Sequence, residues 1–392
     1  MPEGYSRMKL SARLQTVRKR RGLTQKELAD LAGVSVSLVR KIEQGVVQDT
    51  RLETVRRFAT ALRIPTTQLV GPRPDDQEQP AGREIWEPTK RALIGQVEQP
   101  SEPPTAEGVR AGFEALKPLL AANKYAEIAS LLPLLLRDAD ALSGDGRAVR
   151  SRLLNMTGWI LTQTRQYGAA EPTLQLALDT ADNRLDAGAA VNTLGWLHLR
   201  RGLLDDAREL TVRWADELEP RFSRATTAEL SVWGRLLLNV SAAAIRDNRE
   251  GEAEDTIRLA RSAAVRIGHE TLSDASTTRT FGPVTVAMIH AEHSTVQDKP
   301  DKVLAIAARV PTTLLHGQSA SRNRHRLDVA NALVSTRQRS EALGVLTDLS
   351  QSSPEWIASQ RYAKDILGRV INRRRTLTDE MRSLADTIGM AY

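Results

Sequence analysis

The chain contains no cysteine, which excludes disulfide frameworks and thiolate metal sites and gives no hint of export. Aromatic residues are 4% of the 392 residues, too few for a β platform that stacks single-stranded nucleic acid. Runs of β-branched residues bounded by turn residues are scarce. No uncharged apolar stretch is long enough to span a bilayer, and the basic N-terminus lacks the apolar core of a signal peptide. A soluble cytoplasmic protein is therefore expected. Lysine is scarce too, at 10 of the 55 basic residues, a bias that fits a GC-rich genome. No Ser–His–Asp set, paired-carboxylate cleft or Walker motif stands out, so neither catalysis nor a cofactor nor a metal is expected. His290 and His293 flank Glu292 without the His-Glu-x-x-His spacing of a zinc protease and read as an exposed helical pair. Ser143-Gly144-Asp145-Gly146 is too short for a phosphate loop and reads as an interhelical turn.

What is present points to two unlike parts. Hydrophobic residues at 41% of the chain are enough to bury a core, and the length calls for two domains or a repeat array. Residues 1–70 carry 14 basic and 6 acidic side chains, a net +8, while the remainder carries 41 and 42, a net −1. The whole excess positive charge thus sits in one short segment, the footprint of a polyanion-binding module joined to a neutral one.

That segment punctuates itself into short helices. Leu14, Val17 and Arg18 belong to a first helix that ends in Arg18-Lys19-Arg20-Arg21 before Gly22. Thr24-Gln25-Lys26-Glu27 forms a capping box at the start of a second helix. Gly33 closes that helix, and Ser35 caps a third that runs through Gln44 to Gly45. Thr50-Arg51-Leu52-Glu53 reads as another capping box, opening a fourth helix to Leu62, and Thr66 to Val70 adds one more turn. Leu28, Ala29, Ala32, Val34, Leu38, Val39 and Ile42 supply one shared core, with Ala29 small enough for a close helix crossing.

Gln25, Glu27, Ala29, Gly33, Val39, Ile42, Glu43 and Gly45 fall where the Xre/Cro family of phage-repressor-like helix-turn-helix domains places such residues, and the resemblance covers roughly residues 9–70. It implies that the third helix enters the major groove of a double-stranded DNA operator. Ser35, Val36, Ser37, Arg40 and Lys41 would then form the reading face, with Arg40 forking onto a guanine and Val36 meeting a thymine methyl. Thr24, Gln25 and Lys26 would present the second helix's N-terminus to a phosphate. Arg18 and Glu43 match a family ion pair that ties the first helix to the third. Family members often read adenine with third-helix glutamines; Val36 and Ser37 depart from that.

Residues 71–108 hold seven of the seventeen prolines among acidic and polar residues, the composition of a semi-rigid spacer. Its middle, Arg83 to Gly95, carries Trp86, Leu93 and Ile94 and reads as a short docked element. From 109 to 392 the pattern is helix, polar turn, helix. Asn155-Met156-Thr157-Gly158-Trp159 recurs as Asn192-Thr193-Leu194-Gly195-Trp196, and each Gly is followed twelve residues on by Ala170 or Ala207. Ala253 and Ala342 take that place in later units. This resembles the tetratricopeptide repeat, with five or six units and a register that blurs near Ile128 and Val303. The fold class is therefore all-α: a five-helix Xre/Cro-type head joined to an α-solenoid of tetratricopeptide-like helical pairs. Leu377, Met381, Leu384 and Ile388 space a final amphipathic helix, an end cap or a dimer contact.

The repeats also offer a ligand face. Arg152, Asn155 and Trp159 share one helix face, repeated by Asn192, Trp196 and Arg200, with Arg235 and Asn239 in a third unit. Asparagine amides could hold a peptide backbone, Trp a flat wall, and Arg a carboxylate; equally, both tryptophans could fill the superhelix interior and the asparagines bridge helices. The combination is similar to the peptide-pheromone receptor regulators of Gram-positive bacteria, which implies quorum sensing through a peptide or small-molecule ligand and a homodimer on a two-fold operator. The near-neutral charge beyond residue 70 suggests a ligand held by shape and amide hydrogen bonds. The rival reading, from another class, is a protein-interaction scaffold that recruits a protein partner to DNA.

Overall fold

The computed structural model describes residues 10–47, 50–69, 83–98, 100, 102–142, 146–275, 279–311, 315, 319–371 and 376–390. Residues 71–82 of the proline-rich stretch and the turn at 143–145 lie outside them. The head consists of α1 (Leu10–Arg20), α2 (Gln25–Ala32), α3 (Val36–Glu43), α4 (Leu52–Leu62) and a 3-10 turn, Thr66–Gln68. The Thr24 hydroxyl accepts from the Glu27 N–H at 3.2 Å and the Glu27 carboxylate accepts from the Thr24 N–H at 2.7 Å. Two free donors of the first turn of α2 are thus satisfied at once. Gly33, at φ 63°, closes α2 in the left-handed conformation that lets α3 cross it. Leu14, Leu28, Ala29, Val39, Ile42 and Phe58 are fully buried beneath these helices.

α4 departs from its expected start. Arg51, not Thr50, occupies the N-cap, and no side chain caps the helix. Thr50 lies one residue too early for its hydroxyl to cover the N–H groups of the first turn.

Beyond the head, α5 (Arg83–Leu93) lays Trp86 into the core of the helical array. Six helical pairs follow: α6 (Ala106–Ala121) with α7 (Tyr125–Asp140), α8 (Arg147–Gln163) with α9 (Tyr167–Asp179), α10 (Arg184–Arg201) with α11 (Leu204–Glu217), α12 (Thr227–Arg246) with α13 (Glu250–Ile267), α14 (Pro283–Val296) with α15 (Pro300–Ala307), and α16 (Ala320–Ser335) with α17 (Arg339–Ser352). The array ends in α18 (Pro354–Ala358), α19 (Arg361–Ile371) and α20 (Asp379–Ile388). Met381, Leu384 and Ile388 of α20 are buried against this end of the array.

One turn joins the helices of all six pairs. Asn123, Arg165, Gly202, Asn248, Asp298 and Arg337 all have positive φ, from 55° to 76°, and each stands two residues before the second helix of its pair. In each turn the following N–H bonds back to the carbonyl five residues earlier, as in Lys124 to Leu119 at 2.9 Å and Gln338 to Leu333 at 2.8 Å. This Schellman-type closure satisfies carbonyls that the first helix leaves free. Within the pairs, close approach depends on small residues. A Cβ on Gly158 would lie 2.4 Å from Leu174, and one on Gly195 would lie 2.4 Å from Thr211. Ala170, Ala207, Ala253 and Ala342 are buried on the facing helices.

Candidate functional site

The head and the array each present a candidate surface. On the head, Arg18 Nε and Nη2 donate to the two Glu43 carboxylate oxygens at 2.6 and 2.9 Å. The Gln25 amide donates to the same carboxylate at 2.9 Å. Burial alone would raise the Glu43 pKa, but these donors hold it below the ordinary glutamate value. The base of α3 is thereby fixed to α1 and α2. Thr24, Lys26, Ser35, Ser37, Arg40 and Lys41 are exposed; Val36 and Gln25 are half-buried. Ser35 spends its hydroxyl on the Leu38 N–H at 3.2 Å.

The head rests on the array through α4 and the 3-10 turn, which leaves those α3 side chains open. Arg56 is the centre of the contact. Its Nε donates to the Ile245 carbonyl at 3.3 Å and its Nη1 to the Val296 carbonyl at 2.5 Å. One cation thus meets the C-terminal ends of both α12 and α14, where backbone carbonyls concentrate negative potential. Thr66 donates to the Arg246 carbonyl at 2.8 Å, and the Thr67 N–H donates to Asp247 Oδ1 at 2.8 Å. The turn residues Asn248 and Asp298 are engaged as well, by Thr60 and Arg57, each at 3.1 Å.

The same two helices wall a cavity of about 360 Å³ on the inner face of the array. Trp159 and Trp196 stack on one side, with ring centroids 6.1 Å apart and planes 24° from parallel. Arg200 and Arg279 lie over the Trp196 ring at 5.7 and 5.0 Å. Arg235 and Asn239 project from α12. Across the cavity, Glu292 bonds to Arg246 and lies 3.6 Å from Arg324, which is also 3.6 Å from Asp328. Burial would raise Glu292, yet the two arginines hold it at about 2. Burial pushes Asp328 up to about 7 against the pull of Arg324.

Of the eight residues expected to meet a ligand, Trp159, Trp196, Arg200, Arg235 and Asn239 line this cavity; Arg152, Asn155 and Asn192 do not. Arg152 is turned toward the start of α10, where it pairs with Asp186 at 2.9 Å. The Asn239 amide donates to the side chain of Asn192 at 2.7 Å and to its carbonyl at 2.6 Å, so the two bridge helices. Asn155 is buried between helices. Two further expectations change. His293 is buried rather than exposed, and burial holds it near 4, in its neutral form. The neutral charge of the repeats is also uneven in space: seven arginines and three acids line the cavity. Sequence spacing missed Arg246, Arg279, Arg324, Glu292 and Asp328 because they are spread over three units, and only the stacking of those units brings them together. A shared signal does exist: six residues before the positive-φ turn stand Trp159, Trp196, Ala242 and Glu292, all four on the cavity wall.

Residues 14–69 match the helix-turn-helix family model, and the head is an Xre-type helix-turn-helix domain. No curated protein matches the chain. Among solved structures it is similar to PlcR of Bacillus thuringiensis in complex with the peptide PapR7 and DNA, at 17% identity and a TM-score of 0.37 over 78% of this chain and 99% of that one. It is also similar to ComR of S. thermophilus. The apo form matches at 14% identity and a TM-score of 0.26, over 80% of this chain and 97% of that one. The complex with DNA and the signalling peptide ComS matches at 13% identity and a TM-score of 0.25, over 81% and 99%. TM-scores this low mark a loose likeness, and the sites above stand on this chain's own geometry.

Proposed function

We propose that this protein is a sequence-specific DNA-binding transcription regulator whose helical-repeat array senses a ligand in the cavity beside Trp159 and Trp196. The observation that carries the reading is that α12 and α14 both line the cavity and both end on Arg56 of the head. A ligand that prefers one arrangement of these helices shifts how the head is held, and only that difference in affinity can act as a signal. Asp365 adds a second path, since it lines the cavity and pairs with Arg51 of the head at 3.1 Å. The regulator acts as a homodimer in the cytoplasm, each α3 reading half of a two-fold operator with Arg40 and its exposed neighbours.

The test begins with an operator selected from random duplexes by the full chain. Arg40→Ala should weaken binding by about 1–3 kcal/mol and relax preference at one base pair per half-site. Small-molecule and peptide fractions co-purified with the chain are then added back. Operator affinity should change with the wild-type protein and stay constant in a cavity variant, Trp196→Ala. A chain that selects no duplex, or one whose operator affinity ignores every molecule bound in the cavity, overturns the proposal.

A further inference from the structure

We infer that the cavity takes a small ligand bearing an oxyanion, a carboxylate or a phosphate, seated among Arg200, Arg235 and Arg279 against the Trp159–Trp196 stack. This rests on the ligand-sensing reading above and names the chemistry of the ligand. The argument starts from the acids, because all three on the cavity wall are already engaged. Glu292 is held by Arg246 and Arg324, Asp328 by Arg324, and Asp365 by Arg51 of the head. None of them serves Arg200 or Arg235 among the described residues. Among the described residues, Arg200 lies over the Trp196 ring and has no acid partner.

Arg235 is 2% exposed and gives one hydrogen bond, from Nη1 to the Thr280 carbonyl at 3.3 Å. Its Nε has no partner among the described residues. Trp159 is 3% exposed, and its Nε1 is likewise without a partner. Buried donors without acceptors are rare in folded proteins, and an acceptor entering the cavity would satisfy both. Charge points the same way. Burial lowers the pKa of Arg235 well below its ordinary value, and the nearby Arg279 lowers it further. Burial pushes Arg279 down to about 10, with Arg200 adding repulsion. Three guanidiniums crowd one wall and repel one another despite the pull of Glu270 and Glu292, an arrangement that an anion relieves.

The ligand's other half is set by the stack and the volume. The stacked indoles form an apolar wall whose Trp196 ring carries Arg200 and Arg279, and a cavity of about 360 Å³ is near the small end of ligand sites. A compact molecule, or the terminus of a short peptide, fits better than a long extended chain.

The experiment titrates the full chain with pyrophosphate, with citrate, and with a tripeptide ending in a free carboxylate, next to the same tripeptide amidated. Binding is followed by calorimetry and by tryptophan fluorescence. The head is itself basic, so Arg40→Gln serves as the control for anions held there. At least one anionic probe should bind the wild type and Arg40→Gln alike, and at least tenfold more weakly to Arg200→Gln. Arg200 is only partly buried, so this variant keeps the fold, checked by circular dichroism; Arg200→Lys should restore part of the affinity. Which of the three probes binds separates phosphate, small acid and peptide terminus as sources of the oxyanion. No binding by any probe, or equal binding to Arg200→Gln, overturns the inference. An uncharged ligand that fills the cavity and shifts operator affinity would also overturn it, while the regulatory reading survived. An anion bound through Arg200 that left operator affinity unmoved would uphold the inference and sink the regulatory reading.

Discussion

At the scale of single residues, the decisive groups are buried charges whose worth depends on their partners. Arg18 and Glu43 have side chains 9% and 1% exposed and share two hydrogen bonds. Removing the carboxylate in Glu43→Ala strands the guanidinium at the base of α3 and should cost about 3–5 kcal/mol. Hydrogen exchange of the α3 amides is the measurement, since it reads the head separately from the array. Two buried histidines should make the array less stable in acid. Burial depresses His293 and His325 to about 4, so their contribution to stability is complete above the unfolded value of 6.5 and lost as pH falls through 4. Asp328, raised by burial to about 7, works in the opposite direction across the same range. Comparing wild type with His325→Gln isolates one histidine. The variant's stability should fall less between pH 7 and pH 4, by on the order of 2–3 kcal/mol.

Residues also show where the sequence was legible. Thr24, Gly33 and Ser35 act within a few positions of themselves, so their roles in capping and turning α2 and α3 could be read in order along the chain. The cavity could not be read that way. Arg200, Arg235, Arg279 and Arg324 come from α10, α12, the segment before α14, and α16. Their convergence depends on how units stack, and over the whole array their charge is cancelled by acids elsewhere. The asparagines illustrate a phase error. Asn155 and Asn192 stand ten residues before their turns, but Asn239 stands nine before Asn248. One residue is about 100° on a helix, enough to move an amide from the interior to the cavity wall.

At the scale of elements, the six left-handed turns define the repeat more sharply than any residue motif. The residue type varies freely there, from Gly202 to Arg165 and Arg337, so a search for identities sees little. The cost of that freedom is measurable. Arg337 is exposed at φ 68°, a conformation that strains a residue with a Cβ. Arg337→Gly should therefore stabilise the array by roughly 0.5–1 kcal/mol, and Gly202→Ala should destabilise it by about 1 kcal/mol. Thermal or denaturant unfolding of the two variants gives the comparison. Opposite signs confirm that backbone conformation governs the site, and equal signs would refute it.

At the scale of the whole molecule, the question is how the head is held. Arg56 is buried beneath α4, and burial lowers its pKa against the pull of Glu250. Its replacement by Met removes both bonds to helix ends and keeps the apolar stem. The expected result is a head that still folds but separates from the array. Amides of α4 and the 3-10 turn should exchange faster while those of the core beneath α3 are unchanged, and operator affinity should no longer respond to ligand. Slower exchange, or an intact ligand response, would show that the contact is incidental.

The placement of that contact has a mechanical consequence. Arg56 and its neighbours grip the ends of the fourth and fifth pairs, while Arg51 reaches Asp365 in α19, near the far end of the array. The head therefore bridges two distant parts of the array. The array is itself closed: the Ala126 N–H of the first pair donates to Glu355 of α18 at 2.8 Å, and helices from both ends share one hydrophobic core. A displacement of α12 and α14 relative to α19 is therefore not dissipated at a free end, and it has to be taken up where the head is held, at Arg56 or at Arg51.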